Sequence, residues 1–150
     1  MAKNQYISPE MIRTFLLDRS ASDNFLLDEV EFDTPSLDLA MILAVDCYNK
    51  LLPILDEGYT VENFPHKMEF LLGVSGFLMR SKGLNMARNA LQYSSSSGTA
   101  VDDLSSKSKF YLEMGGKFLD EFKEQSRIIK QNQNINDGFG HVGGPSRGAW

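Results

Sequence analysis

Between Met68 and Met79 the chain runs through twelve residues, MEFLLGVSGFLM, with Glu69 as their one charge. A run this short cannot span a bilayer, so a helix built from it has to find cover inside protein. Met68, Leu71, Leu72, Ser75, Leu78 and Met79 fall on one face at helical spacing, and Phe70, Val74 and Phe77 fall on another. A helix apolar on most sides is either central to a bundle or covered by another chain. Phe70, Val74 and Phe77 are therefore candidates for packing between subunits. Gly73 and Gly76 each cost about 1 kcal/mol relative to Ala in a helix interior. Close approach of another helix accounts for them; slack packing is the alternative.

The remaining segments read as further helices. Ser8-Pro9-Glu10 is a start signal, with Ser8 as cap, Pro9 in the first position and Glu10 at the positive end of the dipole. Met11, Ile12, Phe15 and Leu16 follow as one stripe, and the helix fades near Arg19-Ser20. Residues 21–35 are polar and acidic around Phe25, Leu26, Leu27, Val30 and Phe32, whose last two permit a short extended piece. Thr34-Pro35 repeats the start signal, with Thr34 as cap. Leu37, Ala40, Met41, Ala44, Val45 and Tyr48 then mark a buried stripe, broadened by Leu39, Ile42 and Leu43. Pro53 closes this helix, and residues 53–63 form a loop.

Phe64-Pro65 opens the central apolar helix. Arg80, Lys82 and Gly83 mark a break or bend in it, after which Asn85 to Tyr93 resumes with Met86, Ala87, Ala90 and Leu91 inward. Ser94 to Gly98 reads as a flexible loop. Asp102 or Asp103 caps a last helix reaching about Asn132, with the stripe Leu104, Tyr111, Met114, Phe118, Phe122 and Ile129. Gly115-Gly116 weakens its middle. Its interleaved charges read as a solvated face with pairs such as Glu113–Lys117 and Glu124–Arg127.

The sum is an all-α chain: a small helical bundle over residues 1–133 and an extended, Gly-rich C-terminal arm over 134–150. Five of the last thirteen residues are glycine. Ordering each costs about 1–2 kcal/mol, against about 1.5–3 kcal/mol for burying each of Phe139, Val142 and Trp150. The arm should be loose in a free monomer, either as a plain disordered end or as a segment that a partner orders.

At 150 residues the length suits one domain. The net charge of −5 excludes a strongly basic nucleic-acid binder. It is unevenly placed: residues 1–63 hold twelve acids and four bases, a balance of −8, and residues 64–150 hold eight acids and eleven bases, a balance of +3. Ordinary solvated surface explains this split; opposite poles offered to neighbouring copies in a head-to-tail ring are the alternative. One cysteine, Cys47, excludes a disulfide scaffold within the chain. The N-terminus carries no apolar signal core, so a soluble, intracellular protein without membrane partners is expected.

Catalytic templates fail. His66 and His141 are the two histidines, and His66-x-x-Glu69 lacks the second such unit and the further carboxylates of a bundle metal site. Cys47 has no obvious partner base. Gly138-x-Gly140 lacks the strand, helix and third glycine of a dinucleotide loop. The expectation is a protein that is not an enzyme and needs no cofactor or metal. Arg80, Lys82 and Arg88 form a basic cluster too small for a specific nucleic-acid reader.

Four segments carry a family likeness: TPSLDLAMILAVDCYNKLLP at 34–53, YTVENFP at 59–65, ARNALQY at 87–93 followed by SSSSGTAVDD, and NDGFGHV at 136–142. Across about residues 34–142 the chain resembles the head-to-tail connector (adaptor, or neck) proteins of tailed bacteriophages. The resemblance implies a virion structural protein, assembled in the host cytoplasm and resident at the head-tail junction. It would form a ring, typically of twelve copies, joining the portal protein to a downstream neck or tail protein. Such a ring extends the channel through which phage DNA passes without sequence recognition. Asn136, Phe139, His141, Val142 and Trp150 would belong to the portal-docking arm. Phe64-Pro65 and Arg88-Asn89 would mark helix starts and packing points. Asp28, Glu29, Glu31 and Asp33 are candidate channel-lining acids. The serine run departs from the more glycine-rich turn expected of the family, and GPSRGAW has no counterpart there. A helical DNA-binding packaging factor resembling a small terminase subunit is the alternative; it predicts a basic recognition helix.

Overall fold

The computed structural model describes residues 7–18, 31–55, 58–93 and 98–138. They form four helices: α1 (Pro9–Leu16), α2 (Thr34–Lys50), α3 (Lys67–Tyr93) and α4 (Gly98–Gly138). No strand occurs among the described residues, and the all-α bundle stands. Residues 19–30, which hold Asp28 and Glu29, lie outside the described residues, as do the serine run 94–97 and residues 139–150.

α3 and α4 form a long antiparallel hairpin. A Cβ on Gly73 would meet Phe122 at 3.2 Å, one on Gly76 would meet Leu119 at 2.6 Å, and one on Gly83 would meet Leu112 at 2.7 Å. The Ser108 hydroxyl donates to the Gly83 carbonyl at 2.8 Å. The glycines thus mark close helix approach, in accord with the first reading of Gly73 and Gly76. α2 lies antiparallel on α3, with Ala44 at Gly73 and Asp33 and Ser36 beside Leu78, Ser81 and Asn85. α1 covers both.

The six residues of the inner α2 stripe, Leu37, Ala40, Met41, Ala44, Val45 and Tyr48, are all buried. They share the core with Ile12, Phe32, Phe64, Phe70, Leu72, Val74, Leu78, Leu119 and Phe122. Several expectations need correction. Leu39, Ile42 and Leu43 do not broaden the buried stripe but face outward. Met11 and Phe15 are likewise exposed, and Ile12 alone is buried in α1. Phe70 and Val74 are buried in this chain's own core, so they are not free to pack between subunits; Phe77 is half-buried against that core.

Boundaries move for physical reasons. Asp33, not Thr34, caps α2, because its carboxylate accepts from the Ser36 N–H at 2.9 Å. α3 starts at Lys67 rather than Phe64-Pro65, because Phe64 is drawn into the core edge-on to Tyr48 and Tyr59. α3 does not break at Arg80–Gly83, since Gly83 is a packing point on α4. α4 begins at Gly98, ahead of Asp102, and passes Gly115-Gly116 without interruption. It also runs to Gly138, so residues 134–138 are helix rather than extended arm. The chain offers no breaker before that glycine.

The inward face of α4 is rotated from the apolar stripe. Ser108, Gly115, Leu119, Phe122, Ser126 and Lys130 are buried, while Leu104, Tyr111, Met114, Phe118 and Ile129 flank them half-buried. Small residues let the α3 backbone come close, and larger apolar side chains seal the edges.

Candidate interaction surfaces

At one end of the molecule a buried lysine ties α4 to α2. Lys130 is 1% exposed; its ammonium donates to the carbonyls of Leu51 at 2.7 Å and Asn49 at 3.3 Å. These are the unsatisfied carbonyls at the C-terminal end of α2, where a cation is favoured. The ammonium also lies 4.7 Å from the Tyr48 ring centre. Burial pushes the Lys130 pKa below the ordinary lysine value and pushes Tyr48 up to about 12. Cys47 is half-buried alongside, and burial raises its thiol, which disfavours the nucleophilic thiolate. His66 packs tilted against Tyr48 and edge-on to Phe64, with Nε2 buried and without a hydrogen-bond partner. Burial, partly offset by Glu69, lowers its pKa. It is a helix-start histidine in an aromatic cluster.

Of the acids read as channel-lining, the two that lie among the described residues have other engagements. Glu31 accepts from the Tyr111 hydroxyl, and its own N–H donates to Asp18 at 2.6 Å. Burial, then the Glu31 carboxylate, raises the Tyr111 phenol above its usual range. Asp33 is the α2 cap. Of the candidate channel acids, Glu31 is therefore half-buried and held within the fold. Asp18 was not singled out from sequence, yet it is the hub here. It is buried and accepts from Arg13 at 2.8 Å and from the N–H groups of Glu31 and Phe32. A lone aspartate after a helix gives no sequence signal for that role.

The outer face of α2 carries an open apolar stripe. Leu39 and Ile42 are each 57% exposed and Leu43 37%. Asp38 and Asp46 flank them, Asp46 being paired with Lys50 at 2.7 Å. Beside this stripe runs a groove of about 330 Å³ between α2 and the following loop, with Ile42, Val45, Tyr59 and Val61 in its walls and Asp46 and Glu62 among its acids. Asn49 fixes the loop by donating to the Tyr59 carbonyl at 2.8 Å and accepting from its N–H at 3.0 Å.

The basic residues of α3 divide. Arg80 and Arg88 are exposed on either side of Leu84, which is 56% exposed. Lys82 is half-buried against the pocket containing Glu31 and Asp33. Asn89 accompanies Arg88 on the surface and donates to Asn85 at 3.2 Å. On α4, Glu113 reaches back to Lys109 at 4.0 Å. Of the portal-docking candidates, Asn136 is described: it is exposed in the last turns of α4. Phe139, His141, Val142 and Trp150 lie outside the described residues.

Among the described residues no group of His, Cys, Asp and Glu is placed to hold a metal ion. No described helix is long and apolar enough to cross a membrane. No family model, curated protein or solved structure matches the chain.

Proposed function

We propose that this protein is a virion structural adaptor, a ring-forming head-to-tail connector of a tailed bacteriophage. In this reading the ring joins the portal protein to a downstream neck or tail protein and extends the channel for DNA, which passes without sequence recognition. The chain segments that carry the resemblance include the whole of α2. The observation that supports assembly best lies on that same helix. Its inner stripe is fully used in the core, yet Leu39, Ile42 and Leu43 form a second apolar stripe left open to solvent. Scattered exposed apolar residues need no explanation, but three at i, i+3 and i+4 on one helix form a patch suited to a partner.

The docking role of the arm rests on residues 139–150, beyond the end of α4. Imaging and mass measurement of the purified protein, alone and with the portal, test the adaptor reading; a ring seated on the portal is the expected result. Removing residues 139–150 keeps every described helix and should abolish capture by the portal. Unchanged capture by the truncated chain sinks the arm assignment, and no binding of the intact chain sinks the adaptor.

A further inference from the structure

Two exposed stripes on different helices match in spacing and oppose in charge. On α2, Asp38, Ile42 and Asp46 stand at i, i+4 and i+8, acid–apolar–acid, and all three are exposed. On α3, Arg80, Leu84 and Arg88 stand at the same intervals, base–apolar–base, and all three are exposed. Eight residues of α-helix rise about 12 Å, so the two acids and the two bases are separated by the same length of helix. Laid against each other, either way round, the stripes place Leu84 on Ile42 and an arginine on each aspartate.

One molecule cannot make this contact with itself. The 38–46 stripe is on the side of α2 turned away from the core, since Leu37, Ala40, Met41, Ala44 and Val45 occupy the inner side. The start of α2, at Asp33 and Ser36, already meets α3 at Leu78, Ser81 and Asn85. The rest of α3 beyond Asn85 continues past it. The wider surroundings carry the same signs. Residues 31–62 hold seven acids and one base, a balance of −6, and residues 80–117 hold six bases and three acids, a balance of +3.

We infer that the Asp38–Ile42–Asp46 stripe of one copy binds the Arg80–Leu84–Arg88 stripe of the next, in a head-to-tail contact between identical chains. Leu39 and Leu43 widen the apolar seam, and Asp46 exchanges its exposed pairing with Lys50 for the incoming guanidinium, which can bind a carboxylate through two parallel hydrogen bonds. Because the two patches differ, a bound pair still has one patch of each kind free, so the contact propagates rather than stopping at a dimer, and closes into a ring where the rotation between copies brings the last patch back to the first. The inference rests on the adaptor reading for its biological setting and names the surfaces that would build that ring.

The test uses the full chain and two variants, Ile42→Asp and Leu84→Asp, each at an exposed position. Wild type should exceed 16.8 kDa in concentration-dependent multiples by light scattering, and the multiples should shrink with added salt. Each variant alone has one intact patch with nothing to receive it, so each should fall to the mass of one chain. Mixed together, the intact α2 stripe of Leu84→Asp meets the intact α3 stripe of Ile42→Asp, and the mixture should reach the mass of two chains and no more. That recovery also shows that both variants are folded. A Leu84→Asp protein that still assembles as wild type overturns the inference in favour of a contact between identical patches, as does a wild type that stays a single chain at every concentration. Portal capture is scored separately: rings on the portal from both variants overturn these surfaces and leave the adaptor reading intact.

Discussion

Asp18 shows how much one buried carboxylate can organise. α1 ends with the N–H groups of Leu17 and Asp18 bonding back to the carbonyls of Thr14 and Arg13, a closing motif that places its αL position at Leu17, φ 57°. That turn delivers the Asp18 side chain to Arg13 and to the Glu31 and Phe32 N–H groups. Removing the carboxylate strands a guanidinium and two backbone donors, each of which costs free energy when buried unpaired. Asp18→Ala should therefore lose about 3 kcal/mol in urea unfolding. The neighbouring residue predicts the opposite. Leucine in the left-handed region is disfavoured by roughly 1–2 kcal/mol, while glycine adopts it freely at some entropic cost. Leu17 is largely exposed, so Leu17→Gly should stabilise the fold by about 1 kcal/mol, read as a higher midpoint with the same denaturant slope.

Two adjacent glycines of α4 divide by which way they face. A Cβ on Gly115 would lie 2.8 Å from the Arg80 backbone nitrogen and 2.9 Å from the Gly76 carbonyl oxygen, whereas one on Gly116 meets nothing within 4 Å. Backbone cannot rotate aside as a side chain can, so Gly115→Ala must push α3 from α4 and should cost about 2 kcal/mol. Gly116→Ala should add about 1 kcal/mol by helix propensity alone; thermal unfolding of the two variants checks both signs. This contrast also explains where the elements were legible in sequence. The inner α2 stripe emerged residue for residue because it is apolar, periodic and capped at both ends. The α4 face did not, because its contact line is built from Ser108, Gly115 and Ser126, which carry no hydrophobic signal. Reading the large residues instead rotated that helix, and it made Gly83 a break and Gly115 a weak point where each is a packing point. The same limit applied to the surfaces: Leu39, Ile42 and Leu43 are as apolar as the core, and only the packing of α2 on α3 separates the stripe that is covered from the one that is not.

At the scale of the whole molecule, one end carries a chemistry of its own. The end where α2 finishes and α3 starts gathers Tyr48, Tyr59, Phe64, His66 and Lys130 into one aromatic and cationic cluster. His66 makes the stability of the entire fold depend on pH. Burial lowers its pKa in the folded chain, and Glu69 only partly offsets this, so the unfolded chain binds the proton more readily. Stability then rises with pH wherever the unfolded state holds more protons. The contribution of His66 is fully present above the ordinary histidine value near 6.5 and is lost as pH falls below it towards the folded value. The acids whose pKa is lowered, Glu10, Asp33 and Glu62, titrate below the ordinary carboxylate range and so leave the window between pH 7.5 and 5.5 untouched. His66→Phe keeps an aromatic ring beside Tyr48 and Phe64 and removes the proton site. Urea midpoints should drop from pH 7.5 to 5.5 for the wild type and change less for His66→Phe; equal drops in both would place the acid sensitivity elsewhere in the molecule.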